Sequence, residues 1–399
     1  MVRSAQVWGF VAGAWFLGAQ IPWCAAEEVI LVGKTQLPAT ATDLSGQTEA
    51  QENGTPQNRL GGLGSGIAWT GHGNRYVMLP DRGPDDGAVS YRCRFQVVEI
   101  RVNPQASHDP VAVRLLETHL LKSASGENFV GRATYFDREH PEKGLRLDPE
   151  GIRVSSRGTI LIADEYGPSV REFDNQGRWK RDLHTPERYR VKTLGATPAE
   201  ELPPHNTSGR QNNRGWEGLA LNADGTKVYT IAQSPLIQDG GLNEENLRVG
   251  TNIRLLELDM NTGKSREFLY PLEDKSLGCS EVEVIDANRL LVIERDSRIG
   301  EAAQVKSLFE IDLSQATDIS GIDQLPTTGI PEGVRPVAKK LFLNLLAPEL
   351  QLAGATFPEK IEGVAFGPRL PDGSRILIVA SDNDFKAEQP TDIYAFIVK

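Results

Sequence analysis

The stretch Trp216-Glu-Gly-Leu-Ala-Leu221, Asn222-Ala-Asp-Gly-Thr226, Lys227-Val-Tyr-Thr-Ile-Ala-Gln233 decides the fold. It reads as two short apolar strands joined by a hairpin turn at Ala223-Asp-Gly225. Four other segments repeat it: Ser65-Gly-Ile-Ala-Trp to Asp81, Glu150-Gly-Ile-Arg-Val to Asp164, Ser280-Glu-Val-Glu-Val to Glu294, and Glu362-Gly-Val-Ala-Phe to Asp382. Their turns fall at residues 71–74, 156–158, 286–288 and 371–373. Repetition of one supersecondary unit along a chain is the signature of a stacked or radial architecture.

Further strand-like runs follow each pair, at 94–102 and 111–121, 170–174 and 178–183, 253–259 and 265–270, and 308–313 and 340–345. The last unit has one clear extra strand, at 393–398, and the isolated run 29–33 completes it. The expectation is an all-β protein, a β-propeller of four-stranded antiparallel blades, with its ring closed by the N-terminal strand. Five blades are counted, and the long unit 65–150 leaves room for a degenerate sixth. A β-sandwich is the rival, and five similar strand pairs spread over the whole chain argue against it.

Composition sets the outer limits. The 399 residues carry a net charge of −11, without any Lys/Arg block, which argues against nucleic acid or an anionic membrane as partner. Thirty-nine Gly and 24 Pro suit many short strands and tight turns. Residues 1–26 read as a secretory signal peptide: Arg3 is the only charge before Glu27, the run 7–23 is mostly apolar, and small residues follow. The protein is therefore expected to be exported, periplasmic or extracellular, monomeric, and not held in a membrane once the leader is cleaved. Residues 27–59 are expected to form the closing strand and a mobile polar loop, and 60–399 the propeller. Cys93 and Cys279 are read as two buried free thiols rather than one bridge. The polar, Pro-rich stretch 184–214 is long for a compact domain, which marks it as functional or disordered.

In a propeller the first strand of each blade lines the channel, so Glu150, Glu217 and Glu362 converge there from equivalent positions, with Ser65 and Ser280 in the other two units. Converging carboxylates repel unless protonated, paired or bound to a cation, and oxygen ligands suit Ca²⁺ or Mg²⁺. The same Glu-Gly pairs also read as a structural device, with the carboxylate capping backbone N–H groups and the glycine permitting close packing. Asp164 and Asp382, at the ends of second strands, are further ligand candidates. Arg210 and Arg214, from Arg210-Gln-Asn-Asn-Arg214-Gly-Trp-Glu217, read either as anion-binding groups or as partners of the channel carboxylates. Arg82 and Arg295 invite the same two readings. There is no G-x-S-x-G elbow, no phosphate loop and no H-E-x-x-H, so hydrolysis here would rest on water activated by a metal ion.

The strings Leu147-Asp-Pro-Glu-Gly-Ile, Ala163-Asp-Glu-Tyr-Gly-Pro, Arg214-Gly-Trp-Glu-Gly-Leu, Leu291-Val-Ile-Glu-Arg-Asp, Ser381-Asp-Asn-Asp-Phe and Asn58-Arg-Leu-Gly-Gly-Leu resemble the phytase-like domain family, whose members are described by esterase-like activity of phytase. The resemblance runs from about Leu60 to the C-terminus and implies a propeller that hydrolyses phosphate esters. The similar β-propeller phytases hold Ca²⁺ in an acidic channel. This chain lacks a lysine-rich lining, which favours a phosphate ester simpler than phytate. The expectation is a secreted hydrolase of small phosphate esters, with a divalent cation, Ca²⁺ by preference. Glu150, Glu217, Glu362, Asp164 and Asp382 are the expected metal ligands, and Glu217, Arg214 and Arg210 the catalytic set. A non-catalytic extracytoplasmic binding propeller and a Ca²⁺-dependent lactonase or carboxylesterase stand as alternatives.

Overall fold

A computed structural model describes residues 28–399. The expected leader, residues 1–26, lies outside them. Twenty strands form five four-stranded antiparallel sheets arranged as the blades of a propeller. Blade one holds β2 (Gly66–Trp69), β3 (Arg75–Leu79), β4 (Arg94–Val102) and β5 (Val111–Leu120). Blade two holds β6 (Pro149–Val154), β7 (Ile160–Asp164), β8 (Ser169–Phe173) and β9 (Trp179–Leu183). Blade three is β10 (Trp216–Leu221), β11 (Lys227–Ala232), β12 (Asn252–Asp259) and β13 (Ser265–Pro271). Blade four is β14 (Gly278–Val284), β15 (Arg289–Arg295), β16 (Lys306–Asp312) and β17 (Ala338–Asn344).

Blade five combines β18 (Lys360–Arg369), β19 (Arg375–Asp382) and β20 (Thr391–Val398) with β1 (Val29–Leu37), which pairs antiparallel with β20 from Val29 opposite Val398 to Leu37 opposite Thr391. The N-terminal strand thus closes the ring and covers the edge that the last blade would otherwise expose. The unit 65–150 forms one blade, with its excess length in loops rather than a sixth sheet.

Alternating apolar residues bury both faces of each sheet, and the core is divided among the spaces between blades. The inner strands touch in the order β2, β6, β10, β14, β18 and back to β2. Such contact requires small residues at the axis. A Cβ at Gly151 would lie 2.5 Å from the Leu219 Cβ, and one at Gly218 would lie 2.6 Å from the Val282 nitrogen. The segment between β1 and β2 is tied to blade one, where the buried Asp43 pairs with Arg94 and the Gln57 side chain donates to the Ser90 carbonyl at 2.6 Å. Cys93 and Cys279 are buried and unbridged. Among the described residues no helix is long and apolar enough to cross a membrane.

Candidate functional site

Four of the five inner strands share a backbone irregularity where the channel begins. Trp216 lies opposite Ala232 and Gly218 opposite Ile231, which leaves Glu217 as the extra residue of a β-bulge. Ser280 and Glu362 occupy the same bulged position in β14 and β18, and in β6 the shift falls between Pro149 and Ile152, across Glu150-Gly151. A bulge re-aims a side chain that the regular pleat would direct elsewhere. Here it turns Glu150, Glu217 and Glu362 into one cavity of about 460 Å³ at the mouth of the channel. The hairpin register returns the ends of the second strands to the same mouth, with Asp164 opposite Pro149, Arg295 opposite Gly278 and Asp382 opposite Lys360. Each Glu-Gly pair therefore has two roles: the glycine admits the neighbouring blade and the carboxylate lines the cavity.

Glu150 and Glu217 are 7% and 4% exposed, and among the described residues no hydrogen-bond donor reaches either carboxylate. Burial, then the Glu217 charge, pushes Glu150 well above the usual carboxylate range. Burial, then Glu165 and Glu362, does the same to Glu217 against the pull of Arg295 and Arg214. Glu165 is pushed up to about 7 by burial and Asp148, although it accepts from the Gly215 amide at 3.0 Å. Oxygens of Asp148, Glu150 and Glu165 lie within 4.8 Å of one another, a spacing compatible with one cation. Arg82 braces this group, pairing with Asp148 and, at 3.5 Å, with Glu165.

Glu362 differs, because Arg295 pairs with it while donating through Nε to the Ser280 hydroxyl at 2.9 Å. A second carboxylate trio, Asp81, Asp382 and Asp384, already contains an ammonium: Lys360 Nζ lies 3.1 Å from Asp382 and also pairs with Asp384. Asp382 is pushed up to about 7, mainly by burial.

The structure brings together Glu150, Glu217, Glu362 and Arg214 of the expected set. It places Asp382 beneath Lys360, behind the lining. Asp164 also stands outside the cavity, paired with Arg171 at 3.0 Å and accepting the Tyr166 and Asp148 amides at 3.1 and 3.2 Å. Arg210 is buried away from the cavity, paired with Glu201 and donating from Nε to the Tyr166 carbonyl at 3.1 Å. It anchors the long loop that delivers Asn213 and Arg214. Arg82 and Arg295 do reach the cavity, whereas Lys360, Lys386 and Asp148 went unremarked in the sequence. Asp148 and Lys360 each stand two residues before a repeated Glu-Gly pair, which was the available signal.

A larger cavity, about 890 Å³, opens at the opposite mouth among the hairpin turns. On that side Arg153 spans the channel, donating to the carbonyls of Ile67 at 3.0 Å and Val282 at 2.6 Å and pairing with Glu281 and Glu283 at 3.3 and 2.8 Å.

Over residues 58–385 the chain matches the family described as "Phytase-like: Esterase-like activity of phytase". An uncharacterized secreted protein from Arthroderma benhamiae is 28% identical over 342 residues, covering 69% of this chain and 64% of that protein. The match thus spans less than two thirds of that relative's length. Among solved structures, the calcium-binding protein regucalcin from Agrobacterium tumefaciens is 12% identical, covering 85% of this chain and 91% of its own, with a TM-score of 0.37. A gluconolactonase from Xanthomonas campestris is 10% identical, covering 94% and 90%, with a TM-score of 0.36.

Proposed function

The chain belongs to the phytase-like family described by esterase-like activity, and on that premise we propose that it is an exported, monomeric, metal-dependent hydrolase of phosphate esters acting at the acidic mouth of the propeller. One observation carries the reading: Glu150 and Glu217 are buried, line one cavity, and are without a donor among the described residues. Two such carboxylates are stable side by side only if they keep protons or share a cation. Oxygen-only donors fit a hard cation, Ca²⁺ first.

Glu150 and Glu217, with Asp148 and Glu165, would hold the ion, which would lower the pKa of water and neutralise developing charge. Glu362 is engaged by Arg295, and Asp382 by Lys360, so both serve better as electrostatic support than as ligands. Asp164 and Arg210 would act through position, holding the loops that carry Glu165 and Arg214. Arg214 would bind a phosphoryl oxygen through its planar donors. In this reading residues 1–26 are the leader, 27–59 the closing strand with its loop, and 60–399 the working propeller.

The test uses purified mature protein with a chromogenic phosphate ester and its carboxylic counterpart, in Ca²⁺ and then in chelator. Calcium-dependent phosphate release is expected, falling at least about a hundredfold in Glu217→Gln and Glu150→Gln while circular dichroism stays unchanged. Normal turnover in both variants would remove these residues from the site. Chelator-sensitive cleavage of the carboxylic ester alone would replace the phosphate assignment.

A further inference from the structure

Two groups of three carboxylates stand at the acidic mouth or just behind its lining, Asp148, Glu150 and Glu165 in one and Asp81, Asp382 and Asp384 in the other, and in each the oxygens lie within 4.8 Å of one another. The repeat relates the two groups. Blade two places Asp148 two residues before Glu150-Gly151, and blade five places Lys360 two residues before Glu362-Gly363. Leu63, Gly215 and Gly278 hold that position in the other three blades. The backbone then sets each residue against the end of a second strand: the Asp148 carbonyl accepts the Glu165 amide at 2.9 Å, and Lys360 lies opposite Asp382. One position of the repeat therefore carries an anion in blade two and a cation in blade five.

The exchange changes what each group lacks. Among the described residues no donor reaches Glu150 in the first group. In the second every carboxylate is served: Lys360 Nζ lies 3.1 Å from Asp382 and pairs with Asp384, Lys386 lies 2.9 Å from Asp384, and Asp81 accepts the Gly83 amide at 2.9 Å. Ca²⁺ holds its oxygens at about 2.3–2.6 Å, so an ion among these three carboxylates would crowd the Lys360 ammonium, and like charges that close repel strongly. The charges also balance in steps. Three carboxylates face two ammoniums here. Without Lys360 they would face one, and the shortfall of two charges is that of one divalent ion.

We propose that Lys360 is a built-in substitute for a second metal ion: it fills the group formed by Asp81, Asp382 and Asp384 and limits the mouth to one divalent cation. Lys360 lines the cavity, so part of the positive charge there is covalently attached and stays when a chelator strips the metal. The use of that charge in catalysis rests on the hydrolase proposed for this mouth, whereas the exclusion of an ion does not.

The experiment is titration calorimetry with Ca²⁺ raised to about 5 mM, above the range of extracellular calcium modules. It compares the mature protein with Lys360→Met, Lys360→Arg and the double variant Lys360→Met with Asp382→Asn, and melting temperatures in Ca²⁺ and in chelator accompany it. Lys360→Met is expected to bind one more Ca²⁺ per chain than the unaltered protein and to gain more in melting temperature from it. Lys360→Arg keeps the cation and should keep the original count, and Asp382→Asn in the Lys360→Met background should remove the added ion. If Lys360→Met unfolds without metal, Ca²⁺ should restore its circular dichroism spectrum, and failure to do so counts against the proposal. An unchanged count in Lys360→Met, an added ion in Lys360→Arg, or one that survives Asp382→Asn overturns the role of Lys360. Unaltered protein that binds no Ca²⁺, with one ion gained in Lys360→Met, leaves that role standing and overturns the metal-dependent hydrolase. One ion in each protein does the reverse.

Discussion

Replacing Arg153 with methionine removes a guanidinium that crosses the channel. Its Nη1 and Nη2 groups serve carbonyls of blades one and four, and its charge faces the fully buried Glu281 and, at 2.8 Å, Glu283. Even with this partner, burial pushes Glu281 up to about 8, the amides of Leu219 and Val282 pulling the other way. Removing one member of a buried pair costs about 3–5 kcal/mol. The cost also depends on pH, with a definite sign. A carboxyl whose folded pKa is raised holds its proton in the native state, so that contribution to stability is complete at low pH and lost as pH rises through the folded value. Without Arg153 the folded pKa rises further, and the loss continues above pH 8. Each such unit is worth about 1.4 kcal/mol, so Arg153→Met should cost about 1.4 kcal/mol more at pH 9 than at pH 6. Denaturant unfolding followed by tryptophan fluorescence measures both values, and Glu281→Gln in the Arg153→Met background should cancel part of the difference, the rest belonging to Glu283. A change below about 0.5 kcal/mol, or an equal loss at both pH values with no recovery from Glu281→Gln, would refute the account.

Calcium should stabilise the protein more at pH 8 than at pH 6: Glu165 is held at about 7, and burial pushes Glu150 and Glu217 well above the usual carboxylate range, so the metal-free fold loses stability as these groups ionise. Melting temperatures with and without Ca²⁺ at the two pH values check this, and equal shifts would argue against the carboxylate site. Gly218→Ala should cost about 1–3 kcal/mol in denaturant unfolding, because its Cβ would meet the Val282 nitrogen at 2.6 Å. Cys93 and Cys279, both buried with thiol pKa values pushed up by burial, should resist a thiol reagent in the native protein and react once each on unfolding. Deleting β1 should expose β20 as an open edge and yield aggregation on size-exclusion chromatography, whereas a well-behaved monomer would mean that the closing strand is dispensable.

The blade pattern was legible because alternation and turn chemistry are local: Ala223-Asp-Gly225 and its counterparts mark the hairpins, and the run at 29–33 supplies the strand missing from the last blade. Equivalence of Glu150, Glu217 and Glu362 was legible for the same reason, since repeats place equal positions at equal depth in the channel. The bulge was not legible, because an extra residue in a strand shows only against its partner. Nor could the sequence tell which carboxylates are engaged. Asp164 turns to Arg171, seven residues away, while Glu362 meets Arg295 from the neighbouring blade. Arg210 and Arg214 looked alike in one string, yet Glu201 captures the first and the cavity receives the second. Period and turn type are properties of a few adjacent residues. Whether a charged group finds a partner depends on side chains brought within a few ångströms from remote positions, and only the closed ring of blades decides that.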